Sequence, residues 1–127
     1  MNDTELNTLY SFKSSIETLK EATYTLTFKT YRMLKLDGVL EKEVMHKAKA
    51  ALEHAKALVV LYKANKISLT FYRTIKTDVE LTLSIIVYGG KIKTKHGMEK
   101  FPQDHLSYEV KNLINAIFTT IMEPLVI

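Results

Sequence analysis

The residues most able to hold a metal ion are Glu43 and His46, three apart in a Lys-rich stretch. A Glu-x-x-His step on a helix lets both side chains reach one ion, as in carboxylate-bridged di-iron bundles. Such centres need a second copy of the step on another helix and two more inward glutamates. The chain has no second copy, so the expectation is a solvated pair and no metal. His46 and His54 lie eight residues apart, roughly 80° around a helix, and do not share a site. His96 and His105 have no evident ligand partner in the sequence.

Other chemistry fares no better. Ser107, His105 and Asp104 carry the side chains of a hydrolytic relay, but near-consecutive residues at a helix start diverge in direction. Asp104 reads better as the cap of a last helix, just after Pro102. There is no cysteine, which removes disulfides, thiolate nucleophiles and cysteine-bound metals together. No glycine-rich phosphate-binding loop is present. The expectation is a non-enzyme without catalytic residue or cofactor; an enzyme with a dispersed site is the remote alternative.

Basic residues are the richer signal. Eighteen Lys and Arg face fourteen Asp and Glu, a net charge of +4, and only Arg32 and Arg73 are arginines. Residues 1–37 balance at five of each sign, whereas residues 66–103 hold seven basic and three acidic side chains. Lys91, Lys93, Lys95, His96 and Lys100 cluster between glycines, in a stretch read as a basic loop over 89–103. Lys42, Lys49, Lys56 and Lys63 repeat every seven residues down one face of a helix. Both sets suit contact with a phosphate backbone. Lysine lacks the bidentate fork of arginine, so no sequence readout is expected.

The elements carrying these residues follow from hydrophobic spacing. Leu9, Phe12, Ile16, Leu19, Thr23, Leu26, Thr30 and Met33 recur at steps of three and four. This predicts one helix from Asn2 or Asp3 to about Lys35, ended by Asp37-Gly38. Its middle, Ala22 to Phe28, alternates like a strand, but only the helix accounts for the whole segment. A helix this long cannot cover its own apolar seam and needs partner helices, from this chain or a copy. Tyr10, Tyr24, Phe28 and Tyr31 form a second stripe, a candidate oligomer interface.

Val44, Ala48, Ala51, Ala55, Leu58 and Tyr62 predict a second helix over Val39 to about Asn65, antiparallel to the first. Residues 66–96 fit two periods. Tyr72, Ile75, Val79, Leu83 and Ile86 make a helical face ended by Gly89-Gly90. Val79, Leu81, Leu83 and Ile85 also alternate as a strand would, with a turn into Lys91–Lys95. Helix is preferred, because the return strand has one apolar residue to bury. A last helix carries Val110, Leu113 or Ile114, Ile117 and Ile121, closed by Pro124.

The expected architecture is a mainly α, antiparallel four-helix bundle forming a single domain over 1–127. The runner-up is α+β, with a small antiparallel sheet in 66–96. No secretory signal or membrane-spanning run is read, which makes an intracellular location the default. The expected function is a small interaction or assembly protein that self-associates and touches nucleic-acid backbone through its lysines. The alternative is a protein-binding inhibitor or accessory subunit of a nucleic-acid-processing complex.

Overall fold

The computed structural model describes residues 3–33, 38–88, 90–94, 97–101 and 107–125, with side chains described for 3–26, 38–87, 97 and 107–125. Four helices pack together: α1 (Asp3–Met33), α2 (Gly38–Lys63), α3 (Leu69–Tyr88) and α4 (Tyr108–Met122). A single 3-10 turn, Glu123–Leu125, follows α4. The chain is therefore a mainly α four-helix bundle, as its periodicity predicts.

As far as Leu26, the α1 stripe is covered from within the chain. Phe12, Ile16, Leu19, Thr23 and Leu26 are all buried, against α2 on one side and α3 on the other. Burying an apolar side chain of this size is worth about 1.5–3 kcal/mol, enough to hold one helical period through the strand-like Ala22–Phe28 segment. The hydroxyl of Thr23, buried in this seam, donates to the Leu19 carbonyl at 2.7 Å and so needs no outside partner. On α2, Ala48, Ala51 and Ala55 are fully buried. Their small size lets α2 approach α1 and α4 closely, the two helices it packs on most.

Three polar contacts set the helix directions. Lys13 of α1 meets Asp78 of α3 at 3.5 Å. Tyr72, near the start of α3, donates to the carbonyl of Ile121 at the end of α4, 2.5 Å away. Lys63 ends α2 beside Glu123, 3.1 Å apart, at the end of α4. Glu5 of α1 shares a cleft with Lys63 and with Ser68 and Leu69 at the head of α3. Accordingly α1 and α3 run one way, α2 and α4 the other. Both α1 and α4 neighbour α2 and α3, so α2 and α3 occupy opposite corners.

The 64–68 link crosses the bundle end between those corners. Asn65 takes φ 60°, while Asn65 and Lys66 donate to the Tyr62 and Leu61 carbonyls at 3.0 and 2.9 Å. That is a left-handed stop for α2. Ser68 then accepts from the Phe71 amide at 3.1 Å and caps α3.

The helices differ in length, and the difference falls at one end. From the Lys13–Asp78 level, α1 continues to Met33 but α3 only to Tyr88. From the Lys63–Glu123 level, α2 reaches back to Gly38 but α4 only to Tyr108. Both comparisons give an overhang of about ten residues, roughly 15 Å at 1.5 Å per residue.

At that same end, α3 is joined to α4 through a hairpin. β1 (Gly90–Thr94) pairs antiparallel with β2 (Gly97–Phe101), in register Lys91↔Lys100, Ile92↔Glu99 and Lys93↔Met98. This corrects the basic loop read over 89–103. It also corrects the alternative sheet in 66–96: Val79–Val87 belongs to α3, and Lys91–Thr94 is the first strand rather than the return one. Val79 and Leu83 of the alternating set also belong to the helical face and are buried in the core with Ile86, whereas Leu81 is exposed. Gly97 opens β2 at φ +103°, a conformation open to glycine and poorly accessible to other residues. The α4 cap is Ser107, not Asp104; its hydroxyl accepts from the Val110 amide at 3.2 Å. Asp104 lies outside the described residues.

Candidate nucleic-acid interface

Dividing the charges by their place in the fold changes their meaning. The overhanging end comprises residues 24–47, from the last turns of α1 to the first turns of α2, and residues 89–107, which join α3 to α4. These stretches hold nine Lys and Arg against five Asp and Glu, a net +4. The remainder of the chain, the shaft, holds nine of each sign. Counted along the chain, the entire net charge of the protein therefore falls in these two stretches.

Ion pairs run along the neutral shaft. Lys13 meets Asp78, and Lys20 meets Glu17 at 2.8 Å. Lys56 meets Glu53 at 3.3 Å. Lys63 meets Glu123, and a half-buried pair joins Lys76 to Glu80. Exposed pairs of this kind add little stability, roughly 0–1 kcal/mol each, but they cancel the local field that a polyanion would sense.

The hairpin does the opposite and concentrates charge. Strand residues alternate between faces and cross-strand partners share a face. The register thus puts Lys91, Lys93 and Lys100 on one face of the ribbon with Met98, and Ile92, Glu99 and Phe101 on the other. Lys95 and His96, also expected to contact nucleic acid, lie outside the described residues.

The α2 lysines are brought together differently from the sequence expectation. Lys42, Lys49, Lys56 and Lys63 are all exposed. However, Glu53 and Glu123 hold Lys56 and Lys63, and Lys49, Lys56 and Lys63 belong to the neutral shaft. Lys42 alone of this repeat sits on the overhang. Sequence reading missed the α1–α2 tip, where Lys29, Arg32, Lys42 and Lys47 fall. Its signal was the order of charges within residues 1–37. Four of the five acidic residues precede Thr23, and three of the five basic residues follow it.

The remaining candidates separate. Glu43 and His46 are both exposed on α2, and among the described residues no group of three potential ligands is assembled. Of the aromatic stripe, Tyr10 is 67% exposed and Tyr24 is half-buried. The side chains of Phe28 and Tyr31 lie outside the described residues. As far as Leu26, the partner that the α1 seam needs is supplied by α2 and α3. Large exposed apolar side chains such as Val39, Val60, Leu81 and Tyr108 are spread over the other three helices. Among the described residues, no helix is long and apolar enough to cross a membrane.

The opposite end of the bundle holds an open cleft of about 630 Å³, lined by Glu5, Tyr62, Lys63, Lys66, Ser68 and Leu69 among others. Behind it the ring of Tyr72 stacks on Tyr62, centroids 4.5 Å apart. Burial first, then the neighbouring Glu123 and Tyr62, push the Tyr72 phenol up to about 12. It stays protonated at neutral pH and ties α3 to α4 rather than acting as a base.

Comparison with protein-family models, curated proteins and solved structures returns no match to this chain.

Proposed function

We propose that this chain is a small, non-enzymatic interaction protein whose basic end grips nucleic-acid backbone without reading sequence. The observation that carries the reading is the partition of charge along the chain: a neutral shaft in which five of the nine cations sit in ion pairs, and two stretches, 24–47 and 89–107, that together hold the whole +4. The hairpin register adds three lysines on one face. Successive lysines on one face of a strand stand roughly 6.8 Å apart, two residues at about 3.4 Å each, a separation suited to neighbouring phosphates. Lysine heads act as point charges and supply affinity without base discrimination.

Three lysines neutralising three phosphates predict a slope of log affinity against log salt near −2.7 on duplex, about −0.9 per phosphate. Affinity then falls about 40-fold between 50 and 200 mM salt. Fluorescence anisotropy with a labelled mixed-sequence oligonucleotide reads this directly. Reversing Lys91, Lys93 and Lys100 to Glu removes most of the binding, whereas reversing Lys49, Lys56 and Lys63 costs no more than about threefold. Salt-independent binding, or the opposite ranking of the two triple variants, refutes the reading.

A second reading, a self-associating unit, rests on the exposed Tyr10 ring. Light scattering decides it: a monomer at micromolar concentration, unchanged by Tyr10→Ala, rules it out.

A further inference from the structure

We infer that the outer face of α1 and α3 takes a second copy of this chain, packed antiparallel so that Lys13 of each molecule stands opposite Glu17 of the other. The inference rests on the self-association reading above and adds the surface and the geometry of the pair. Its starting point is a second seam on α1. Leu6, Tyr10, Lys13, Glu17, Lys20 and Tyr24 follow one another at steps of four and three, one position on from the inward stripe. One position is a turn of about 100°, so this seam lies beside the buried one. It borders α3, since Lys13 reaches Asp78. All six of its residues are exposed or half-buried. On α3, Thr74, Asp78, Leu81 and Ile85 repeat the spacing and are likewise exposed or half-buried. A seven-residue repeat keeps one seam turned toward a neighbouring helix along its length.

Between the two seams runs a groove of about 360 Å³. Its lining includes Ile16 and Val79, each 2% exposed, which form an apolar floor. Leu81 stands at its rim, 63% exposed. Tyr10, one turn before Lys13, is the other large apolar side chain left open on this face.

The charges on this face favour a copy of itself as the occupant. The two seams carry Lys13 and Lys20 against Glu17 and Asp78. Equal numbers of each sign give a strongly charged partner nothing to gain. A copy turned end over end about the level of Ser15 sets residue 13 against 17, residue 10 against 20 and residue 6 against 24. Lys13 then meets the partner's Glu17, and two-fold symmetry repeats that contact. Tyr10 meets the partner's Lys20, an aromatic ring facing a cation. Leu6 meets the partner's Tyr24, apolar against apolar.

The size of the face agrees. Leu6 to Tyr24 spans about 27 Å at 1.5 Å per residue, and two helices side by side are about 20 Å wide. That is roughly 540 Å² per molecule and 1,080 Å² for the pair, just past the roughly 1,000 Å² of a specific interface. A pair at this lower limit dissociates with a constant of about 10 µM.

Sedimentation velocity of the full chain between about 1 and 200 µM reads that constant. Lys13→Glu and Glu17→Lys each place like charges opposite one another and weaken the dimer about tenfold or more. Both positions are exposed, so the fold survives, and circular dichroism checks it. Mixed in equal amounts, the two variants associate within about threefold of the wild type, because each supplies the charge the other lacks. Leu81→Ala, which alters no charge, weakens the dimer about threefold or more. Lys49→Glu, the same change of charge on α2, leaves the constant within about twofold. A wild-type dimer that the α1 and α3 variants do not weaken, a mixture that fails to recover, or an equal loss in Lys49→Glu overturns the inference and leaves self-association standing. A wild type that stays monomeric to about 200 µM overturns both.

Discussion

Replacing Tyr72 by Phe deletes one hydroxyl and keeps the ring stacked on Tyr62. Tyr72 is fully buried, and its Oη donates to the Ile121 carbonyl at 2.5 Å. That carbonyl lies in the last turn of α4, where helix carbonyls run out of partners within the helix. Losing the bond and leaving the acceptor unpaired costs about 1–3 kcal/mol, a sizeable share of a typical 5–15 kcal/mol. The same hydroxyl makes stability depend on pH. Burial, reinforced by Glu123 and Tyr62, raises the folded-state value from 10.0 to about 12. Because the folded pKa is the higher one, its stabilisation is whole below pH 10 and is lost as pH rises through 12. A gap of two units is worth about 2.7 kcal/mol, and roughly half has gone by pH 11. Urea unfolding followed by circular dichroism at pH 8 and pH 11 therefore finds the wild type ahead by about 1–3 kcal/mol, with that lead shrinking by about 1.4 kcal/mol. A lead that stays constant across this range would show that Tyr72 is not the buried donor described.

Ser107→Ala removes the side chain that receives the Val110 amide and lowers stability by about 1 kcal/mol in the same assay; an unchanged stability would show that this hydroxyl does not cap α4. Ala51→Leu forces a larger side chain into the fully buried seam where α2 meets its neighbours. Overpacking there costs about 1–3 kcal/mol or more, seen as a lower melting temperature; an unchanged one would mean the helices are not in close contact.

How much of this was legible differs from residue to residue. Phe12, Ile16, Leu19, Leu26, Ala48, Ala51, Ile114 and Ile117 announced their burial, because a helical period of apolar residues has one economical solution in water. The strand-like run Val79–Val87 was ambiguous because its residues fit both periods, and only packing in the helical core selects between them. The hairpin escaped because Gly97 was read as a loop marker, and a strand with few apolar residues gives a weak signal. Ser107 lost to Asp104 because capping residues are interchangeable in type, and local geometry decides which one serves. The candidate interface was legible only as ingredients, since Lys91, Lys93 and Lys100 were visible but their shared face depends on register.

By itself the sequence determined the four amphipathic helices, the absence of cysteine chemistry and the size of the charge excess, because each depends on residue identity and short-range spacing. Tertiary structure alone decided which corner each helix occupies, how far α1 and α2 overreach α3 and α4, and that the β1–β2 hairpin joins α3 to α4 at that same end. Charge acts through space while sequence orders it along the chain. A segment that sums to zero over residues 1–37 can therefore still carry Lys29 and Arg32 in the last turns of α1, away from Lys13 and Lys20.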